Sequence, residues 1–170
     1  MRLKNYLIAF SILFLLTSLA YAGEQEFSQN SLYITPQVGI NTFTIPFGLN
    51  IEYALTPNIG IGGTTMMWLW NEAFWSSSVI ALSAEGTYHF TQLDLEKFDV
   101  FAGAGIGFGI YSFKEKTGFI EGAGTSGILV DIFVGGRYYF NPKFAVSLKV
   151  GGGLTTWSTF GAVIGVTIRP

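Results

Sequence analysis

Residues 100–113 read VFAGAGIGFGIYSF, and their alternation decides the fold. The even positions hold Val100, Ala102, Ala104, Ile106, Phe108 and Ile110, and the odd positions Phe101, Gly103, Gly105, Gly107, Gly109 and Tyr111. Successive side chains of a strand point to opposite faces, so one face of this run is apolar and the other nearly bare backbone. Alone in water, such a strand leaves its apolar face and both hydrogen-bonding edges unsatisfied. The rest of the chain has to supply the neighbours.

Residues 1–22, MRLKNYLIAFSILFLLTSLAYA, have the form of a cleaved signal peptide. Arg2 and Lys4 make a basic start, Tyr6 to Leu19 an apolar run, and Ala20-Tyr21-Ala22 a small-residue cleavage site. The rival, a retained membrane helix, would need a longer apolar run and a charge cluster after it. Of the 9 Lys and Arg, two lie in this leader, which leaves 7 basic against 11 acidic residues, a net charge of −4. A nucleic-acid binder needs a basic face, so that class of partner is excluded. With no cysteine, the exported chain relies on packing or lipid rather than disulfides. Charged residues are 12% of the chain, about half the usual share of a soluble domain. Low charge without a second long apolar run points to alternating strands that cross a membrane.

In order, residues 23–30 form a polar, flexible lead-in, and 31–170 divide into eight strands. The expected strands are 31–43 (with a bulge or gap at Pro36), 47–55, 59–70, 78–90, 100–113, 128–140, 144–156 and 160–168. Thr56-Pro57-Asn58 and Asn141-Pro142-Lys143 are tight turns. Residues 91–99 form a polar turn, and the loops at 71–77 and 114–127 are longer. Strands of this length suit a tilted bilayer crossing, and an even number closes into a small barrel. The expected architecture is therefore an all-β, eight-stranded antiparallel up-and-down transmembrane barrel.

Parity assigns the faces. The even positions of strands four to eight, 33 residues, contain no charge, where the chain average of 12% would give about four. The odd positions hold Glu85, His89, Asp131, Arg137 and Lys149. A basic residue facing lipid at the midplane costs about 2–4 kcal/mol, so the odd face is assigned to the lumen. A soluble barrel predicts the reverse and would place Gly103 to Gly109 and the ions on the surface. In the third strand Ile59, Ile61, Met67 and Leu69 are expected outward. Aromatic residues at strand ends form two candidate girdles. One is Tyr53, Tyr88, Phe90, Tyr138, Phe140 and Phe144 beside the short, periplasmic turns. The other is Trp68, Trp70, Trp75, Phe113, Trp157 and Phe160 beside the longer, extracellular loops.

The motifs EYALTPN, GAGIGFGIY and GGRYYFNPKFAV, spaced as short strands after a signal peptide, resemble the small OmpA/OmpX-like outer-membrane β-barrel domains. The resemblance covers the mature chain and lies in spacing and turn motifs. It implies a monomeric integral barrel in outer-membrane lipid of a diderm bacterium, inserted by the barrel assembly machinery. Such barrels usually end on an aromatic residue, whereas this sequence ends Thr167-Ile168-Arg169-Pro170.

The chemistry-bearing residues are few. Glu52, Glu85, Asp131, Arg137 and Lys149 form a candidate lumen ion network. Paired ions of this kind plug a narrow barrel, and the alternative is a gated pathway for ions or solutes. His89, the single histidine, sits at the periplasmic end, away from the outer leaflet where a lipid-modifying Ser/His/acid site would act. One histidine without cysteine does not suggest a metal site. The glycine runs lack phosphate-loop spacing, so no nucleotide cofactor is expected. No catalytic residue is assigned. The expected role is structural or surface-interacting, with the loops as places for an unidentified ligand.

Overall fold

A computed structural model describes residues 27–41, 45–71, 74–115, 121–153 and 161–170. The leader, residues 23–26, Trp157 and Phe160 lie outside the described residues. The strands are β1 (Leu32–Asn41), β2 (Phe47–Ala54), β3 (Ile59–Asn71), β4 (Trp75–His89), β5 (Phe98–Glu115), β6 (Glu121–Asn141), β7 (Phe144–Gly153) and β8 (Gly161–Ile168). Each pairs antiparallel with the next, and β8 pairs with β1, which closes the barrel.

The face assignment follows from the register. Ile59 lies opposite Tyr88, and Ile80 opposite Ile110, so odd positions of β3 share a face with even positions of β4 and β5. That face is outward: Ile51, Ile61, Leu69, Ile106, Ile128, Ile132, Val134 and Ile164 are all exposed. The buried polar and charged groups, among them Thr35, Gln37, Asn50, Glu52, His89, Asp99 and Arg137, point inward. An apolar belt around a polar interior is the reverse of a soluble barrel and suits a hydrocarbon solvent.

The short turns satisfy their own backbone. Thr56 Oγ1 accepts from the amides of Asn58 at 3.2 Å and Ile59 at 2.9 Å. Asn141 Oδ1 accepts from the amides of Lys143 at 2.9 Å and Phe144 at 3.1 Å. These side chains mimic backbone turns, which is why Thr-Pro-Asn and Asn-Pro-Lys reverse the chain so tightly.

Pro36 makes the expected gap and no bulge: it lies opposite Leu49 in an unbroken β1–β2 ladder, while β1–β8 pairing is interrupted between Ile34 and Gln37 with its register kept. Proline lacks the N–H for that second ladder, and Thr35 and Thr167 join their hydroxyls there at 2.9 Å instead. Three expectations are corrected. The described residues of 114–127 are strand rather than loop, because β5 continues to Glu115 and β6 begins at Glu121, and residues 116–120 lie outside the described residues. A bulge between Ile128 and Thr125 admits the extra residue, with Gly127 at φ +78°. The segment 71–77 is likewise shortened, since Trp75 already pairs with Glu115. Finally, Phe27 to Asn30 are docked rather than free. Phe27 is buried, Asn30 N–H donates to Ala54 O at 2.8 Å, and Arg169 donates to Ser28 Oγ at 2.7 Å.

Candidate functional site: an ion-paired lumen beneath an aromatic chamber

One row of paired residues threads the lumen: Tyr33, Glu52, Gly62, Glu85, Gly105, Asp131 and Gly153. Three carboxylates thus lie on one row, spaced by glycines. The glycines make the room. A Cβ on Gly105 would stand 3.2 Å from Glu85 Cγ, and one on Gly60 would run into the Glu52 carboxylate and the Thr87 hydroxyl.

The lower storey is built around Glu52. Arg137 reaches from β6 to donate to Glu52 Oε2 through Nη2, and its Nη1 lies 3.5 Å from Asp99 Oδ2. Asp99 stands directly opposite Arg137 in the β5–β6 ladder. His89 bridges the two acids, with Nδ1 2.8 Å from Asp99 Oδ1 and Nε2 3.1 Å from Glu52 Oε1. Thr87 donates its hydroxyl to Glu52. Aromatic rings close the storey. The Arg137 guanidinium lies 5.2 Å from the Tyr33 ring and 5.0 Å from Phe101, and Phe27 stacks on His89 at 3.5 Å between centroids. Arg137 keeps 4% of its side chain exposed and Glu52 3%, so these charges are out of water and need one another.

The second storey is wetter. Lys149 donates to both Glu85 oxygens at 3.1 and 3.2 Å, and Asn50 donates to Glu85 Oε2 at 3.1 Å. Lys149 keeps 15% of its side chain exposed, several times the value for Arg137. A polar cavity of about 20 Å3, lined by Glu52, Glu85, Arg137 and Lys149 among others, separates the storeys. It is large enough for one water.

Above this pair the lumen opens into a chamber of about 350 Å3. Its wall includes Met66, Trp68, Trp70, Tyr111, Leu129 and Phe133, and its charged lining is Glu85, Asp131 and Lys149. Trp68 and Trp70 are therefore not in the outer girdle. Even positions of β3 face inward in the same register that turns Ile61 and Leu69 outward. Trp75 and Phe113 have inward parity too and lie in the extended hairpins. The girdle at the short-turn end has outward parity. Tyr53, Tyr88 and Tyr138 are exposed, Tyr88 and Phe90 pack edge-on at 5.2 Å, and so do Tyr138 and Phe140 at 5.3 Å. Phe98, not foreseen there, sits beside Tyr138 at 6.5 Å.

Of the expected ion set, the structure joins Glu52 to Arg137 and Glu85 to Lys149, and it places Asp131 on the chamber wall. His89, expected on the lumen face, hydrogen-bonds there to Glu52 and Asp99. Asp99 was missed, although it has lumen parity and that was the available signal.

No protein-family model matches the sequence, and no curated protein does. Solved structures do match. The N-terminal β-barrel domain of Pseudomonas aeruginosa OprF is 19% identical with a TM-score of 0.58, over 84% of this chain and 98% of that one. A de novo designed transmembrane β-barrel is 16% identical at 0.58, over 84% and 98%. Neisserial surface protein A is 11% identical at 0.57, over 82% and 93%. At these identities the likeness is one of fold alone, that of small eight-stranded antiparallel β-barrels.

Proposed function

We propose that this protein is an integral outer-membrane barrel with a structural or surface-interacting role, closed to through-flow by its lower storey. The observation that carries this is the Glu52–Arg137–Asp99–His89 cluster capped by Phe27 and Tyr33. A conducting path would have to separate buried ion pairs, each of which leaves an uncompensated charge when it opens. The same surroundings argue against a lipid-modifying enzyme. His89 is buried beneath Phe27, and the hydroxyl beside it belongs to Thr87, at 3.2 Å. A nucleophile needs access to substrate as well as a base. A second reading, a small gated pore, is favoured by the chamber and by the polar cavity beneath it.

Planar-bilayer recording separates the two readings. The closed barrel gives no discrete openings, and the Arg137→Ala or Lys149→Ala variants create them. Steady openings in the unmodified chain, altered by either substitution, would replace the first reading with the second. Lipid A mass profiles with and without the protein test the enzyme alternative, and the closed-barrel reading expects no change.

A further inference from the structure

Residues 27–31 lie across the short-turn mouth of the barrel, ahead of the first strand of its wall. We propose that they form a detachable strap, which releases and reseats over the lower storey while the eight-stranded wall stays closed. The inference goes beyond the closed-barrel reading and adds a moving part to it. It stands on the contacts of the strap, whether or not the ions beneath conduct.

Three observations carry the assignment. The first is how the strap is held. Asn30 N–H donates to Ala54 O at 2.8 Å and Ala54 N–H to Ser31 O at 2.9 Å, so backbone pairing with the end of β2 reaches as far as Asn30. Asn30 then takes φ +62°, in the left-handed region, and turns the chain under the mouth. Past that turn side chains do the holding. Ser28 N–H donates to the Tyr33 hydroxyl at 2.9 Å, Arg169 to Ser28 Oγ at 2.7 Å, and Gln29 to Leu55 O at 3.2 Å. A short segment held by a few such contacts opens locally at far lower cost than a strand of the wall. The second is what the strap covers. Phe27 and His89 are both fully buried, and their rings stack at 3.5 Å between centroids, with Tyr33 stacked on Phe27 at 5.3 Å. The third is what the strap leaves intact. The nitrogens of His89 are held by Asp99 and Glu52, and Glu52 is held in turn by Arg137 and Thr87. Every one of these partners belongs to β2, β4, β5 or β6. Lifting Phe27 therefore lets water reach the ions without separating a pair, which spares the cost of an orphaned charge.

The test is native-state proteolysis of the full chain folded in lipid nanodiscs. Chymotrypsin cuts after an aromatic residue that enters its own pocket, and the Phe27 ring cannot be there and under the barrel at once. Scission of the Phe27–Ser28 bond, read by intact mass, therefore reports strap opening. It is expected while the heat-modifiable band stays fully folded. Asn30→Val, whose branched side chain disfavours the left-handed turn, should speed it about tenfold, and Asn30→Gly, which keeps the turn, by no more than about threefold. Both variants lose the bond that Asn30 Oδ1 accepts from the Tyr53 hydroxyl at 3.1 Å, so their difference isolates the backbone. Gly107→Ala, which loosens the wall and not the strap, should leave the rate within about twofold. No scission in the folded barrel, equal rates for folded Asn30→Val and Asn30→Gly, or a rate that climbs with Gly107→Ala would overturn the proposal. If a variant does not fold, scission of the unmodified chain before any loss of its folded band decides. Bilayer conductance reads the ions separately: steady openings in the unmodified chain would remove the closed-barrel reading and leave the strap.

Discussion

Arg137 faces two carboxylates, Glu52 and Asp99, with almost none of its side chain in contact with solvent. Its removal is therefore not the loss of one bond. Arg137→Met would leave both acids buried, with only His89 between them, and breaking a buried pair in this way costs about 3–5 kcal/mol. Urea unfolding of the chain refolded into lipid vesicles should show that loss. Glu52→Gln combined with Arg137→Met should recover part of it, since a neutral amide tolerates burial better than an orphaned carboxylate. Equal midpoints for the single and double variants would mean that the ions do not couple. Glu52 and Arg137 were legible in the sequence because parity isolated them. Asp99 was not, because it borders Asp94, Glu96 and Lys97 and so reads as part of a solvated turn. The structure starts β5 at Phe98, which puts Asp99 on the lumen face opposite Arg137. Phe27 was hidden for a similar reason: one aromatic in a polar lead-in gives no period, and its burial depends on a barrel end that other segments build.

At the scale of the strand, the glycines of β5 differ in what they hold. A Cβ on Gly107 would run into the Leu82 carbonyl oxygen and come within 2.7 Å of Ser83 Cα, both backbone atoms that cannot turn aside. A Cβ on Gly86, in β4, would meet nothing within 4 Å. Gly107→Ala should therefore destabilise the barrel by about 1–3 kcal/mol, as overpacking does, and Gly86→Ala should stay within about 0.5 kcal/mol of the parent. Paired unfolding curves in the same lipid check this, and equal shifts would refute the close strand approach. Alternation thus revealed the strand and its faces, but not which glycine the register needs. Strand ends were the least legible feature. KEKTGFIEGAGTSG reads as a loop by composition, yet most of it continues β5 and β6, because cross-strand pairing overrides weak strand propensity once the hairpin has started. Trp68 and Trp70 were misplaced because position near a strand end was weighed over parity, and parity governs which side of the wall a ring occupies.

For the whole molecule, the decisive question is which solvent meets the apolar belt. The fold itself does not carry a function, since a designed barrel made without natural ancestry shares it at a TM-score of 0.58. What the fold does carry is a solvent, and one substitution reads it. Ile106 lies on the outer face midway along the barrel wall and is 58% exposed. On a soluble protein, arginine at so exposed a position would change stability by no more than about 0.5 kcal/mol. In a bilayer the same guanidinium has to enter hydrocarbon or drag water to itself, at about 2–4 kcal/mol near the midplane. Ile106→Arg should therefore lower the stability of the refolded barrel by about that amount, and Tyr138→Arg, in the short-turn girdle, by about 0–1 kcal/mol. The depth dependence separates lipid from ordinary packing, because an exposed side chain in water has no midplane to sense. A flat, small response at both positions would mean that the belt does not meet hydrocarbon, and the transmembrane reading would fall while the buried ion pairs stayed inside the barrel.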